Sequence, residues 1–297
     1  MDSPEGVRIS GNELSDRYGA FTLGRQQGSN QYYKEAIAPE VEPLRMMLIP
    51  AGSFLMGSPA DELDRRDNEG PQHEVSLSQF FMSKYPVTQA QWQAAAALPE
   101  VNRELESNPS RFKGEQLPVE RVSWYEAVEF CDRLTLHTNR QYRLPTEAEW
   151  EHACRAGTTT PFYFGESITT DLANYQGTDN ESLGWSGSYG DGPNGEYREK
   201  TTPVGQLDTP NAYGLCDMHG NVYEWCQDHW YDNYEGAPTD GSAWLTDNEG
   251  AGRIIRGGSW LSIPELCRSA YRPYYYPVSR SHNLGFRVSC VAPRALA

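Results

Sequence analysis

The sequence lacks four features, and each absence excludes a class of protein. No apolar run approaches the roughly 20 residues of a membrane-spanning helix. Lys and Arg number 25 against 41 Asp and Glu, a net charge of −16, so the basic surplus of general nucleic-acid binders and of proteins on anionic membranes is missing. The first residues lack the basic and apolar segments of a signal peptide, which predicts a cytoplasmic location. Six cysteines are too few for a disulfide scaffold and predict free, buried thiols.

Turn-forming and aromatic residues are abundant instead. Gly and Pro together number 47, and Trp, Tyr and Phe together number 35. Capping boxes at Ser123–Glu126 and Thr146–Glu149 predict two helices, over 123–138 and from 146 to about 156, and Thr88 can cap a further helical stretch through 97. After Gly157 the helical period stops and turn signals come every few positions. We therefore predict an α+β fold with two supporting helices, short strands and much irregular structure.

Strands are expected where short apolar or alternating runs lie between turn residues. They are predicted near 46–49, 54–56, 73–81, 201–205, 253–256 and 284–291. Residues 1–43 are polar and show no sustained period, so we expect an N-terminal extension or linker there. Residues 44–297 are then expected to form one domain.

Eight stretches in order are specific enough to indicate a family. They are IPAGSFLMGS (49–58), KYPVT (84–88), PVERVSW (118–124), YRLPTEAEW (142–150), NAYGL (211–215), MHGNVYEW (218–225), RGGSW (256–260) and LGFR (284–287). In this order they resemble the formylglycine-generating enzyme, or sulfatase-modifying factor, family over about residues 44–292. The resemblance implies a variant of the C-type lectin fold.

The same resemblance bears on catalysis. Enzymes of this family oxidise a substrate cysteine with copper and two active-site cysteines, which follow the Gly-Gly-Ser stretch five residues apart. Here the first position is Ser262 and only the second, Cys267, is a cysteine. Because copper(I) prefers paired thiolates, we expect no copper and no enzyme activity, with Cys267 as a packing residue. The alternative is a formylglycine-generating or related oxidase in which Cys267 is catalytic, exposed and low in pKa.

The segment 256–291 also resembles the variable region of proteins diversified by retroelements, many of which have a lectin-like fold. Its framework, RGGSW (256–260), CRSA (267–270) and GFRV (285–288), surrounds positions of irregular composition. The ligand-binding residues that this resemblance implies are Leu261, Ser262, Ile263, Glu265, Leu266, Ser269, Tyr271, Pro273, Tyr274, Tyr275, Tyr276, Val278, Ser279, Ser281 and His282. Mutation of adenines in Asn codons yields Leu, Ser, Ile, Tyr, Pro, Val and His, which covers all of them except Glu265.

The residues support a binding surface without the resemblance. Residues 271–276 read YRPYYY, and tyrosine offers a large amphipathic contact area at a low cost in side-chain entropy. The alternative is that these tyrosines belong to an aromatic core. Because four tyrosines within six residues cannot easily all face inward, surface binding is the favoured interpretation.

A structural calcium ion is a further expectation from the family. Asp217, Gly220, Val222 and Glu224 stand at the positions that hold calcium in formylglycine-generating enzymes, and two carboxylates with two carbonyls suit a hard cation. The alternative is a turn held by Asp217 alone, with Glu224 in a salt bridge. Cys216, His219, Cys226 and His229 mimic zinc spacing, but their arrangement is not a standard zinc motif.

These observations predict a bacterial, cytoplasmic binding protein that displays a hypervariable surface to a macromolecular ligand, most simply a protein. A compatible possibility is an accessory domain of a larger signalling protein. Residues 256–297 contain six Arg and one Glu, a net charge of +5. We therefore expect a mildly basic, tyrosine-rich face on an acidic scaffold, which would suit an acidic partner.

Overall fold

The computed structural model describes residues 30–291, and within them the fold is α+β. Three α-helices are present, α1 (Gln89–Ala96), α2 (Trp124–Thr138) and α3 (Glu147–Arg155). Each begins with a capping box in which the cap hydroxyl and the third residue bond reciprocally. The sequence indicated the boxes at Ser123 and Thr146, and for Thr88 it indicated the cap alone. The fold therefore has three helices, not two. No helix of residues 30–291 is long and apolar enough to cross a membrane.

Eleven short strands form the remaining regular structure between residues 30 and 291. They are β1 (Tyr32–Glu35), β2 (Leu44–Ile49), β3 (Gly52–Met56), β4 (His73–Leu77), β5 (Phe80–Ser83), β6 (Tyr142–Arg143), β7 (Tyr223–His229), β8 (Arg253–Arg256), β9 (Tyr274–Tyr275), β10 (Leu284–Gly285) and β11 (Ser289–Val291). The first sheet has the order β1-β2-β5-β11-β6, the second β10-β7-β8-β9, and β3 pairs with β4. Strand β11 lies between β5 and β6, so the first and last strands of the described chain belong to the same sheet.

The strand predictions differ in outcome. Strand β8 lies where it was predicted, whereas 201–205 contains no strand. The alternating run 73–81 is split between β4 and β5, which belong to different sheets. Strand β1 pairs with β2 in antiparallel register, so the boundary expected at residue 44 falls between two paired strands. Most of the expected extension, residues 1–29, lies outside the described residues.

The core packs the sheets against the three helices. One cluster surrounds Trp92, Phe130 and Phe286, whose rings lie 5.2–6.0 Å apart between centroids. A second surrounds Trp150 and Met218 next to α3. All six cysteines are free and buried, as the sequence predicted. The second sheet rests on this core, and its edge strand β9 carries the tyrosines of the variable segment.

Candidate ligand-binding site

Four of the five arginines of residues 256–291 lie inside the protein, and we call these four the framework arginines; the fifth, Arg280, is 55% exposed. Arg256, Arg268, Arg272 and Arg287 have no exposed surface. Arg272 binds both carboxylate oxygens of Glu147, at 2.7 and 2.9 Å, and also donates to the carbonyl oxygen of Tyr231. The expected basic face is therefore wrong, because these guanidinium groups are buried and paired.

Each buried arginine pairs with a buried glutamate from a distant part of the chain. Arg268 binds Glu69 through two nitrogens, at 2.6 and 2.8 Å. Arg256 binds Glu151 and the carbonyl oxygens of residues 269–271. Although burial opposes ionisation, the charge and hydrogen bonds of Arg272 hold the pKa of Glu147 below its usual value. The pairs anchor the segment to strands, helix α3 and loops formed by earlier residues.

Four predicted ligand-binding residues are well exposed and adjacent. The exposed fractions are 40% for Tyr274, 36% for Tyr275, 59% for Tyr276 and 71% for Val278. Tyr274 and Tyr275 form β9, the edge of the second sheet. The ring of Tyr274 lies 4.7 Å from that of Trp230, between centroids. We call residues 274–276 and 278 the tyrosine face.

Seven further predicted residues are partly exposed. They are Leu261, Glu265, Leu266, Pro273, Ser279, Ser281 and His282. The carbonyl oxygen of His282 accepts a hydrogen bond from the indole of Trp260, and the two rings lie 5.3 Å apart. The backbone of this region is also fixed, since Pro277 and Ser281 accept hydrogen bonds from the amides of residues 124 and 121.

The other four predicted contact residues are buried, and this corrects the expectation for them. Ser262 accepts a hydrogen bond from the amide of Ser259 at 3.0 Å, and Ile263 is only 7% exposed. Ser269 has no exposed surface, and Tyr271 packs into the main core cluster. Their side chains are used in holding the segment in place, so the surface open to a ligand is smaller than the sequence indicated.

Trp230 and the loop 230–252 border the tyrosine face, and the sequence reasoning did not include them. A Cβ atom placed on Gly252 would lie 2.3 Å from the ring of Tyr274, so only a glycine lets that ring lie flat on the loop. Trp230 is one of 35 aromatic residues, and nothing in the local sequence distinguishes it from the aromatic residues that belong to the core. The pairing of β8 with β9 brings this loop and the tyrosines together.

The cysteine required by the oxidase alternative is inaccessible. Cys267 has no exposed surface, and its Sγ would lie 2.4 Å from a Cβ placed on Gly258. Burial raises the pKa of its thiol, the opposite of what a reactive thiolate or a copper ligand needs. In this arrangement Cys267 is a packing residue.

Among the residues expected to hold calcium, Glu224 already has partners within the protein. Its carboxylate lies in β7 and binds Arg287 at 2.6 and 2.7 Å and the indole of Trp150 at 2.7 Å. This is the salt bridge that the sequence left open as the alternative. Burial raises the pKa of Asp217 to about 6, although the amide of Gly205 donates to it at 2.7 Å. A cation here would share Glu224 with a guanidinium group.

The spacing that mimics zinc ligands does not produce a zinc site within residues 30–291, where no three His, Cys, Asp or Glu side chains converge on a metal position. Burial lowers the pKa of His219 to about 3, so the ring is neutral. Its Nε2 accepts the amide hydrogen of Tyr163, and its Nδ1 donates to the carbonyl oxygen of Cys267.

Known proteins of similar sequence include enzymes and proteins named inactive. The chain is 33% identical to serine/threonine-protein kinase pkn1 of Chlamydia caviae over 86% of this chain, but it spans only 39% of that protein. It is 30% identical to the mouse formylglycine-generating enzyme, covering 89% of this chain and 82% of the relative. It is 29% identical to the bovine inactive C-alpha-formylglycine-generating enzyme 2, covering 85% and 90%.

Two solved structures share the fold. PvdO from Pseudomonas aeruginosa superposes with a TM-score of 0.73 at 32% identity, covering 91% of this chain and all of that one. Treponema denticola variable protein 1 superposes with a TM-score of 0.65 at 26% identity, covering 89% and 99%. The sulfatase-modifying factor enzyme 1-like domain model matches residues 34–291. With its eight ordered motifs and its α+β fold, the chain belongs to the family of sulfatase-modifying factor enzyme 1-like domains.

Proposed function

We propose that this protein is a binding protein that recognises a macromolecular ligand, a protein, through the tyrosine face and its flanking residues, without chemistry. One observation carries the proposal. Within a single segment, the framework arginines are buried and paired, whereas Tyr274, Tyr275, Tyr276 and Val278 point to solvent. A surface of this kind can change its side chains while its backbone stays fixed.

The chemistry of the face suits adaptable recognition. Tyrosine has few rotatable bonds and combines an aromatic ring with a hydroxyl group, so it contributes contact area at low entropic cost. Two of the three exposed tyrosines, Tyr274 and Tyr275, lie on a two-residue strand held by β8, and Pro273 and Pro277 flank the three in sequence. A rigid backbone under large side chains lowers the entropy lost on binding.

The relatives support a binding role without establishing it. Treponema denticola variable protein 1 has the same fold, and its name describes a variable protein. The burial of Cys267 argues against the oxidase alternative in this chain. We further propose that the positions flanked by the framework are diversified by a retroelement. A near-copy of codons 256–288, with adenines at the variable positions and beside a reverse transcriptase gene, is the expected genomic evidence.

The experiment exchanges the tyrosine face and leaves the framework untouched. A library randomised at residues 274–276 and 278 is displayed and selected against several unrelated proteins. We expect different side-chain combinations to be selected for different proteins, with melting temperatures close to that of the wild type. Selection of no binders, or a general loss of folded protein, would contradict the proposal.

Calcium binding at Asp217, Gly220, Val222 and Glu224 stays a prediction, as does a cytoplasmic location. Desolvation raises the pKa of Asp217 to about 6, and a cation beside this carboxyl would offset that effect by favouring the ionised form. We propose a structural role, tested by unfolding the protein in calcium and in a chelator. Calcium should stabilise the wild type and have no effect on Asp217→Asn, and equal stability of the wild type in both conditions would exclude the site.

A further inference from the structure

The charge around the tyrosine face is acidic on the side of the loop 230–252, which joins β7 to β8. This loop contains five acidic residues and no Lys or Arg; they are Asp232, Glu235, Asp240, Asp247 and Glu249. All five are exposed. Among residues 30–291, no ion-pair partner lies within 4.0 Å of any of them. We call this loop the acidic loop.

The acidic loop lies against the tyrosines. Trp230 contacts the ring of Tyr274, and Gly252 lies directly beneath that ring. Asp232 is two residues from Trp230 and Glu249 is three residues from Gly252, so their Cα atoms lie within roughly 11 Å of these contacts. Asp232 and Glu249 are therefore the acidic residues that the chain places near the Tyr274 end of the tyrosine face.

The nearby arginines do not cancel this charge. Arg280 is 55% exposed but is paired through two nitrogens with Glu126, at 2.7 and 2.8 Å, so the pair is neutral. Arg253 is 6% exposed and stacks on Trp124 at 3.9 Å. Arg111 and Arg121 contribute positive charge next to His282, and burial together with these two charges lowers its pKa. Arg253 also stands opposite Tyr275 in the β8–β9 pair, and its charge interacts with Glu249 and offsets part of the loop's charge. The exposed arginines Arg111 and Arg121 lie at the other, His282 end of the face.

We propose that the partner presents a basic, Lys- or Arg-rich segment that lies across the tyrosine face against the acidic loop. This inference rests on the proposed function and names the chemistry of its ligand. A guanidinium or ammonium group binds favourably over an aromatic ring, and nearby carboxylates add attraction. Arg111 and Arg121 at the other end repel a second basic group, so the segment binds in one orientation.

The test selects ligands without assuming their sequence. A random dodecapeptide phage library is panned on the wild-type protein, and a Tyr275→Ser, Tyr276→Ser variant serves for counter-selection. We expect the enriched peptides to contain more Lys and Arg than the library. One enriched peptide is then synthesised and labelled, and its affinity for the wild-type protein is measured by fluorescence anisotropy at ~0.1 M and ~1 M salt. Between these concentrations the screening length falls from about 10 Å to 3 Å.

Matched variants separate the acidic loop from net charge. The loop variant carries Asp232→Asn, Asp247→Asn and Glu249→Gln. The control variant carries Asp61→Asn, Glu166→Gln and Asp191→Asn, three exposed residues around a cavity that contains none of the tyrosine-face residues. Both variants lose three negative charges. We expect the loop variant to bind about tenfold more weakly, as for three exposed ion pairs, and the control to stay within about twofold of the wild type.

The outcomes distinguish this inference from the proposed function. Two outcomes overturn the inference and leave the proposed function standing. In the first, the enriched peptides need the tyrosines but contain no excess of Lys and Arg. In the second, the loop variant and the control variant lose affinity for the peptide to the same extent. Basic peptides captured equally well by the tyrosine variant overturn the proposed function, and the inference with it. A selection that enriches no peptide on the wild type over the tyrosine variant contradicts both.

Discussion

Arg272 and Tyr276 are four residues apart in one segment, yet they have opposite environments. Arg272 has no exposed surface and holds Glu147 with two hydrogen bonds, whereas Tyr276 is 59% exposed. The first contributes to stability because a buried ion pair leaves an uncompensated charge when it is broken. The second contributes little, because its side chain is surrounded mostly by water. Buried and exposed positions thus alternate within one segment, and we expect stability to depend on the buried ones.

The largest expected effect comes from breaking a framework pair. Arg272→Ala leaves the Glu147 carboxylate buried without its main partner, and we expect the free energy of unfolding to fall by about 3–5 kcal/mol. Arg280→Ala is the matched control, since Arg280 also binds a glutamate through two nitrogens but is 55% exposed. Its loss should be below about 1 kcal/mol. Urea unfolding measures both, and equal losses would remove the distinction between framework and surface.

A tyrosine of the same segment should behave like the framework. Tyr271 is 8% exposed, packs into the main core cluster and carries Arg66 4.7 Å above its ring. Tyr271→Ser should lower the free energy of unfolding by about 2–4 kcal/mol, because it leaves a cavity. A loss as small as that of an exposed tyrosine, in the same urea measurement, would show that Tyr271 belongs to the variable surface.

A smaller effect concerns pH. Burial raises the pKa of Glu120 to about 7, and its Oε2 has no partner among residues 30–291. The folded state therefore binds a proton more tightly than the unfolded state, whose carboxyl has a pKa of about 4. This group's contribution to stability is present at low pH and is lost as the pH rises from about 4 through about 7.

The measurement compares unfolding at about pH 5 and about pH 8. Glu120→Gln should reduce the difference in unfolding free energy between these two conditions, whereas Glu115→Gln, at an exposed position of the same loop, should leave it unchanged. An unchanged difference in Glu120→Gln would mean that this carboxyl is ionised in the folded protein at both pH values.

The smallest effect on stability is expected at the tyrosine face. Tyr276→Ser should change the free energy of unfolding by no more than about 0.5 kcal/mol, since the side chain is exposed. The same replacement at Tyr271 provides the comparison, because only burial differs between the two experiments. A large loss at Tyr276 would mean that the variable surface is itself part of the framework.

Local sequence predicted the helices and the family because both depend on residues close together in the chain. Thr88, Ser123 and Thr146 each cap a helix through a residue three positions on, and the structure shows all three capping boxes. Strand β7 was not predicted, because its residues lie within a family motif that was interpreted as a metal-binding loop. Within that strand, Glu224 binds Arg287 from 63 residues away.

The sequence predicted that the segment 271–276 forms an exposed surface, but not which of its residues are exposed and which are buried. Tyr271 and Tyr276 are the same residue type, and no local pattern separates the buried one from the exposed one. Their environments depend on parts of the chain that are far away in sequence, such as Arg66 above Tyr271. The acidic loop meets the tyrosines only because β8 pairs with β9.

The sequence by itself determined the family, the α+β class, the capped helices and the position of the tyrosine-rich segment 271–276, since each depends on short motifs. Only the tertiary structure decided that four of the five arginines of residues 256–291 are buried and which tyrosines of that region are exposed. The physical reason is that a guanidinium group is buried only where a carboxylate can pair with it. For Arg272 that carboxylate is Glu147, 125 residues earlier in the chain.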